Sequence, residues 1–126
     1  MNSTRIISEN KKTVETYMNA FEKGDRIKVL SCLTDDVVWI LPGVFHLKGK
    51  KEFEGEIRND AFQGDPEITV TRMTGENDIV IAEGSVRAQK KSGDFINLAF
   101  CDVFEMQNGK IQSLISYLME IKETNK

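Results

Sequence analysis

The fold is decided by residues 95–122, FINLAFCDVFEMQNGKIQSLISYLMEIK, which have the pattern of two long strands joined by a tight turn. Asn108 and Gly109 form the turn, because both residues tolerate the positive φ that a two-residue hairpin needs. Side chains alternate between the two faces of a strand, so the first strand divides into two rows. One of these rows consists of Ile96, Leu98, Phe100, Asp102, Phe104 and Met106.

Asp102 is the only polar member of that row. A carboxylate in apolar surroundings loses its hydration, so Asp102 should favour its protonated form unless a partner compensates. Two interpretations stay open. Asp102 is either a structural residue, hydrogen-bonded or placed at an edge, or an acid that faces a ligand in a pocket. Under the second interpretation, Phe100 lines the same pocket.

The composition is typical of a globular protein made of one domain, residues 1–126. Of the 126 residues, 40% are hydrophobic and 29% are charged, and the net charge is -3. This charge gives no reason to expect a nucleic acid or an anionic membrane as partner. No apolar run is long enough to span a membrane, and residues 1–12 lack the apolar core of a signal peptide. We therefore expect a cytoplasmic protein.

No pattern for a metal or a cofactor is present. Cys32 and Cys101 lack metal-ligand spacing and are expected to be buried free thiols in a reducing compartment, with a disulfide or a reactive thiol as the alternative. His46 is the only histidine, and the sequence contains neither a phosphate-binding loop nor a Ser-His-Asp set. We expect no metal and no cofactor.

The first half of the chain has helical periodicity. Residues 10–23 should form a helix whose apolar face contains Val14, Tyr17, Met18 and Phe21. Gly24 suits the end of this helix, and Asp25 can cap a second helix over residues 26–33. A third helix is predicted over residues 50–59. The inward residues of the second helix should be Ile27, Leu30 and Leu33.

The strands lie mainly in the second half. Residues 37–41 form a first strand that ends at Pro42-Gly43, after a turn at residues 34–36, and residues 44–47 form a short extended segment. A turn at residues 63–66 precedes an antiparallel meander over residues 67–73, 79–89, 95–106 and 110–121. Helices followed by a meander predict an α+β fold, with three helices packed on one face of a curved, mainly antiparallel sheet.

The strands carry apolar residues on both faces. Three short helices cover only one face of a sheet, so we expect the other face to pack on a second copy of the chain. The protein is thus predicted to form a homodimer through the sheet, the alternative being a large exposed apolar patch.

The order of these elements resembles the nuclear transport factor 2-like (NTF2-like) superfamily, and within it the SnoaL-like and ketosteroid isomerase-like branches. The motifs that carry the resemblance are DDVVWILPG, the GxxxF of residues 49–53 and NGKIQSLISYLM. The resemblance implies a cone-shaped α+β fold, a pocket between the helices and the sheet, and dimerisation through the sheet in many members.

The isomerase comparison carries over two residues. Tyr17, ahead of a Gly-Asp turn, and Asp102, in an Asp-Val pair, match the family's tyrosine and its protonated aspartate. In ketosteroid isomerase an apolar site keeps this aspartate neutral so that it can donate a hydrogen bond. Leu41 stands where those enzymes have their catalytic base. SnoaL-like cyclases have an acid two residues after a tyrosine of the last strand, and Met119 follows Tyr117 there.

Two other residues are candidates for the missing base. His46 could act near neutral pH, or it is exposed or structurally hydrogen-bonded. Glu83 is either a pocket base or a partner of Arg87 on the sheet face. Trp39, which shares the parity of Leu41, is a pocket wall or part of the core.

The register of the last hairpin stays open. A strict two-residue loop places Asp102 opposite Ile115, on the face of Tyr117 and Met119. A three-residue loop with a bulge places it opposite Leu114, on the face of Ser116 and Leu118.

The sequence favours a pocket protein that binds a small hydrophobic molecule through Tyr17 and Asp102. The alternatives are an isomerase or cyclase acting on a carbonyl or polyketide-like substrate, with His46 or Glu83 as base, and a non-catalytic dimeric scaffold. The remaining expected pocket residues are Trp39, Leu41, Glu83, Phe100, Tyr117 and Met119.

Overall fold

A computed structural model describes residues 3–122 and contains three helices and six strands in this range. The elements are α1 Ser3–Lys23, α2 Arg26–Ser31, β1 Leu33–Leu41, β2 Phe45–Lys48, α3 Gly49–Gly55, β3 Phe62–Glu76, β4 Ile79–Lys90, β5 Phe95–Gln107 and β6 Lys110–Glu120. None of these helices is both long enough and apolar enough to cross a membrane. The α+β class is confirmed.

All six strands belong to one sheet, in the order β2-β1-β6-β5-β4-β3. Every neighbouring pair is antiparallel except β1 and β6, which are parallel. The mainly antiparallel sheet is therefore confirmed. The side chains of one sheet face, here called the inner face, join the helices in the core, and they include Val80, Ala82, Phe100, Phe104 and Leu114.

The three helices differ greatly in length, so the prediction of three N-terminal helices is matched only in part. Helix α1 has 21 residues, whereas α2 has 6 and α3 has 7. Helix α1 begins well before residue 10, in a segment where the exposed Arg5 and Glu9 pair at 3.2 Å one turn apart. The predicted apolar face did not reveal this segment, because an exposed turn buries few apolar side chains.

The junction between α1 and α2 follows the predicted signals. Gly24 adopts φ +71°, which ends α1, and the Asp25 side chain accepts a hydrogen bond from the Lys28 N–H at 3.1 Å. The inward face of α2 was predicted in part, since Leu33 is buried and Leu30 packs against the core, whereas Ile27 is 84% exposed and the unpredicted Val29 is fully buried. Helix α2 ends at Ser31 because the chain enters β1 two residues later.

Three boundaries differ from the prediction, two of them in strands. Residues 34–36 lie in β1 and residues 63–66 lie in β3, although their composition is typical of turns, and α3 ends at Gly55. The register of β3 against β4 shifts between Gln63 and Glu67. Residues 34–36 and 64–66 lie at register shifts between paired positions, so the strands continue past residues that favour a turn and the irregularity accommodates them.

The last hairpin combines the predicted two-residue turn with a bulge farther along the strands. Asn108 and Gly109 have φ of 52° and 76°, and Gln107 pairs with Lys110. The register shifts between Glu105 and Met106, so that Asp102 lies opposite Ser116. Neither predicted partner was right, but the face is the one that Ser116 shares with Leu118.

Candidate functional site

A cavity of about 400 Å³ lies between the inner face of the sheet, helix α1 and the segment around the end of α3. Its walls are mostly apolar or aromatic, with a few polar side chains. This volume and composition are typical of a pocket for a small molecule. The lining residues are Tyr17, Met18, Phe21, Trp39, Leu41, Val44, Phe45, Glu56, Ile57, Arg58, Asn59, Phe62, Gln63, Gly64, Pro66, Ile68, Val86, Ala88, Leu98, Phe100, Asp102, Ser116 and Leu118.

An aromatic cluster makes up one side of the cavity. The Trp39 ring lies 4.5 Å from the ring of Phe53 and 5.1 Å from that of Phe45, centroid to centroid. The Tyr17 ring meets Phe104 edge to face at 5.7 Å. Tilted and edge-to-face contacts at these distances are favourable, so the cluster fixes the positions of Trp39 and Tyr17.

Asp102 is a buried acid in this apolar wall, and only 9% of its surface is exposed. Burial raises the pKa of Asp102 to about 7, and a side-chain hydrogen bond from Ser116 acts in the opposite direction. Its Oδ1 is enclosed and has no hydrogen-bond partner among the described residues. The carboxyl therefore retains hydrogen-bonding capacity, and both of its protonation states are populated near neutral pH.

Tyr17 enters the same cavity from α1. Burial, together with the negative charge of Asp102 and a smaller contribution from Cys32, raises the pKa of Tyr17 well above its usual value. Tyr17 consequently stays a neutral phenol at physiological pH. Tyr17 and Asp102 line the same cavity, and no hydrogen bond joins their side chains among the bonds of residues 3–122.

Ser116 connects Asp102 to the aromatic cluster. The Trp39 indole N–H donates to the Ser116 hydroxyl oxygen at 3.0 Å, in a buried contact between β1 and β6. Ser116 is itself buried, and it is the direct cross-strand neighbour of Asp102. The three residues form a continuous polar path through otherwise apolar walls.

Arg58 lines the cavity and holds several segments together. Its guanidinium donates to the carbonyl oxygens of Ile57 and Glu22 at 2.7 and 2.9 Å, and it pairs with Asp65 at 3.0 Å. It also lies over the Phe21 ring, 5.8 Å from the centroid. Arg58 thus ties α1, the segment after α3 and β3 together at the wall of the cavity.

The structure brings five of the predicted site residues together around the cavity: Tyr17, Trp39, Leu41, Phe100 and Asp102. Their location agrees with the sequence-based prediction. Their roles in binding or catalysis stay predictions.

The other four predicted site residues lie elsewhere. His46 is an exposed residue of the edge strand β2. Glu83 is on the outer face of the sheet, the face opposite the cavity, beside Cys101. The β6 residues Tyr117 and Met119 are also on the outer face and are 52% and 72% exposed. The bulge in β6 sets this orientation, which the sequence left open.

The partner predicted for Glu83 was wrong. Glu83 accepts two hydrogen bonds from the Arg72 guanidinium, at 2.6 and 2.9 Å, and this pairing lowers the pKa of Glu83. Arg87 instead lies over the Phe95 ring, 4.0 Å from the centroid. Strand β3 was expected to pair with β4, but the bulge that aligns Arg72 with Glu83 is not visible in the sequence.

The main polar residue that the sequence did not reveal is Ser116. It alternates with Leu114 and Leu118 on the inner face, so it is a polar residue in an apolar row, as Asp102 is. Ser116 can be assigned to this apolar row on the inner face only when the register of β6 is known. Arg58 gave no signal, because an arginine after a helix is ordinarily a solvated residue.

Cys32 and Cys101 are both free thiols, as expected, with Cys32 buried and Cys101 half-buried. Burial raises the pKa of each thiol. Among residues 3–122, no group of three or more His, Cys, Asp or Glu side chains is placed to hold a metal ion.

The architecture is an NTF2-like α+β fold. The model of the SnoaL-like domain matches residues 14–114, which is most of the chain. The chain therefore belongs to the SnoaL-like domain family. No curated protein matches the sequence.

Several solved structures share this fold. An LEH-like epoxide hydrolase from M. tuberculosis is 22% identical with a TM-score of 0.79, covering 90% of this chain and 84% of its own. An NTF2-like protein of unknown function from Burkholderia pseudomallei is 21% identical with a TM-score of 0.82, and the match covers 88% of this chain and 91% of that protein. A proposed polyketide cyclase from Xanthomonas campestris is 21% identical with a TM-score of 0.81, and the match covers 88% of this chain and 90% of that protein. At these identities the similarity establishes the fold.

Proposed function

We propose that this SnoaL-like protein binds a small hydrophobic molecule in its cavity, with Asp102 and Tyr17 as the polar contacts. The observation that carries the proposal is the buried Asp102 carboxyl, which has an unpartnered oxygen in an apolar cavity of about 400 Å³. An unpaired buried polar group costs free energy, so a ligand that satisfies it gains affinity and orientation.

The state of the two polar groups indicates the chemistry of the ligand. Below a pH of about 7, Asp102 is protonated and can donate a hydrogen bond. The Tyr17 hydroxyl remains a donor at any physiological pH. Two donors in an apolar cavity fit a molecule with one acceptor oxygen, such as a ketone, on a hydrocarbon body.

A matched pair of probes tests this proposal. We expect 2-acetylnaphthalene to bind about tenfold more tightly at about pH 6 than at about pH 8, because the donor form of Asp102 is lost over this range. The hydrocarbon analogue 2-isopropylnaphthalene should bind with little dependence on pH. Calorimetric titration would measure both affinities.

Two variants serve as controls for the probe experiment. Asp102→Asn keeps an N–H donor at every pH, so the ketone should bind more weakly than to wild type at pH 6 and without pH dependence. Tyr17→Phe should weaken ketone binding several-fold and leave hydrocarbon binding unchanged. Failure of both probes to bind would exclude a hydrophobic binding site, and unchanged affinities in both variants would exclude the polar pair.

An acid-base enzyme is the second candidate, since a carboxyl with a pKa near 7 can both give and take a proton at neutral pH. The candidate bases do not support it, because His46 is exposed and Glu83 is paired with Arg72 on the outer face. We expect no measurable turnover of a Δ5-ketosteroid in a spectrophotometric isomerase assay. Robust turnover that is lost in Asp102→Asn would show that Asp102 itself serves as the base.

We further propose that a second copy of the chain covers the outer face of the sheet. Phe95, Tyr117 and Met119 are all at least half exposed on this face, next to the half-buried Cys101 and Val103. An isologous dimer would bury these side chains from both copies at once. A scaffold without ligand is less well supported, because packed side chains do not fill the cavity.

A further inference from the structure

We infer that Trp39 and Ser116 are positioning residues for Asp102, linked in a one-way chain of hydrogen bonds from the indole to the hydroxyl to the carboxyl. The role of this chain in ligand binding rests on the proposed function. The chain itself is a property of the protein without any ligand.

The first link fixes the direction of the chain. An indole has an N–H and no acceptor, so Trp39 can only donate in its 3.0 Å contact with Ser116. This contact occupies one lone pair of the Ser116 oxygen and leaves the hydroxyl hydrogen to be placed elsewhere. Trp39 itself cannot rotate away, because Phe53 and Phe45 pack against its ring.

The second link follows from the strand register. Ser116 and Asp102 are direct partners on β6 and β5, and both side chains are on the inner face. Directly opposed residues have Cβ atoms about 5 Å apart, so a serine hydroxyl reaches a carboxyl across the pair. A Ser116 hydroxyl that donates to this carboxyl favours the ionised form of Asp102, and Ser116 acts on the pKa of Asp102 in that direction.

The consequence concerns the proton that Asp102 itself carries. When Ser116 donates to the carboxyl, the carboxyl does not need to donate to Ser116, and its own proton is available to a bound molecule. If the direction were reversed, the proton of Asp102 would be held by Ser116. The chain thus sets both the orientation of the acid and the pH at which it stops being a donor.

Few other charged groups act on Asp102. From α1 it faces Tyr17, which is a neutral phenol at physiological pH. From β4 it faces Ala82 and from β1 it faces Trp39, and these two side chains do not titrate. Cys101 precedes it in the strand and points to the outer face. Glu56 and Arg58 line the cavity, and Arg58 is paired with Asp65. A shift in the titration of Asp102 can therefore be assigned to Ser116.

The experiment is a titration of the Asp102 side-chain carbon by ¹³C NMR in the ligand-free protein, with Asp102→Asn identifying the signal. In Ser116→Ala we expect the midpoint to rise by about one pKa unit, because the ionised form loses a hydrogen bond. Ser116→Thr retains a hydroxyl and should restore the midpoint. In Trp39→Phe we expect a smaller rise.

Ser113→Ala is the matched control. Ser113 is on the same strand opposite Glu105, on the outer face, so its removal should leave the Asp102 midpoint unchanged. A midpoint that falls in Ser116→Ala would show that Ser116 accepts from the neutral acid, and a midpoint equal to that of Ser113→Ala would show no link. Either result would overturn the inference, whatever the two naphthalene probes do.

Discussion

Two carboxylates on neighbouring strands show how the two faces of the sheet differ. Asp102 on β5 is on the inner face and opposite Ala82, while Glu83 on β4 is on the outer face and opposite Cys101. Burial raises the pKa of Asp102 to about 7, whereas a bidentate arginine lowers the pKa of Glu83. One step in the register thus separates an acid whose neutral form is favoured from a surface carboxylate whose ionised form is favoured.

The difference has a thermodynamic cause. Asp102 lost its hydration without gaining a cation, so the structure favours its neutral form. Glu83 keeps much of its hydration and gains Arg72, so the structure favours its charged form. Only the first arrangement leaves an acid that can change its protonation state near neutral pH. This is the property that the proposed binding site uses.

The largest expected difference between the inner-face and outer-face carboxylates is in how each makes the stability of the protein depend on pH. Because the folded protein holds the Asp102 proton up to a pH of about 7 and the unfolded chain releases it near 3.8, stability falls as the pH rises through this window. The total loss should be about 4 kcal/mol. We expect Asp102→Asn to abolish it, so that urea unfolding at about pH 8 shows the variant to be more stable than wild type.

Glu83→Gln is the matched control, since it neutralises the neighbouring carboxylate on the outer face. The folded pKa of Glu83 is lowered, so its stabilising contribution is present above its unfolded pKa and is lost as the pH falls through the folded value. At neutral pH the variant should lose a little stability, and the loss should shrink at high salt. A variant that became more stable at pH 8, as Asp102→Asn does, would remove the contrast between the faces.

A smaller effect should distinguish the outer face as an interface. Met119→Asp places a charge among the exposed apolar residues of β6, so it should weaken the proposed dimer at least tenfold in sedimentation velocity. Ile27→Asp is the control, because Ile27 is 84% exposed on α2, away from the sheet. A wild-type protein that sediments as a monomer, or a dimer lost only in Ile27→Asp, would exclude the outer face as the contact.

Local patterns were sufficient for much of the fold. The apolar spacing of Val14, Tyr17 and Met18 gave the buried face of α1, and Asn108-Gly109 gave the turn of the last hairpin. Both depend on residues close together in the chain. The boundaries that failed, such as residues 34–36 and 63–66, depend on pairing with distant strands.

The candidate site was predictable only in part, for the same reason. Asp102 stood out because it interrupts an apolar row, and its unusual protonation was expected from this alone. Ser116 interrupts an apolar row too, but the row could not be assigned to a face before the bulge in β6 was known. Tyr117 and Met119 were expected in the pocket and lie on the outer face because of the same bulge.

The sequence by itself determined the α+β class, the hairpin and the presence of a carboxyl in apolar surroundings, because these follow from periodicity and from the cost of desolvating a charge. The tertiary structure decided which strand faces meet the helices, that Trp39 reaches Ser116, and that Glu83 pairs with Arg72. A single inserted residue in β6 reverses the orientation of every side chain after it. That reversal places Ser116 beside Asp102 and leaves Tyr117 and Met119 on the opposite face.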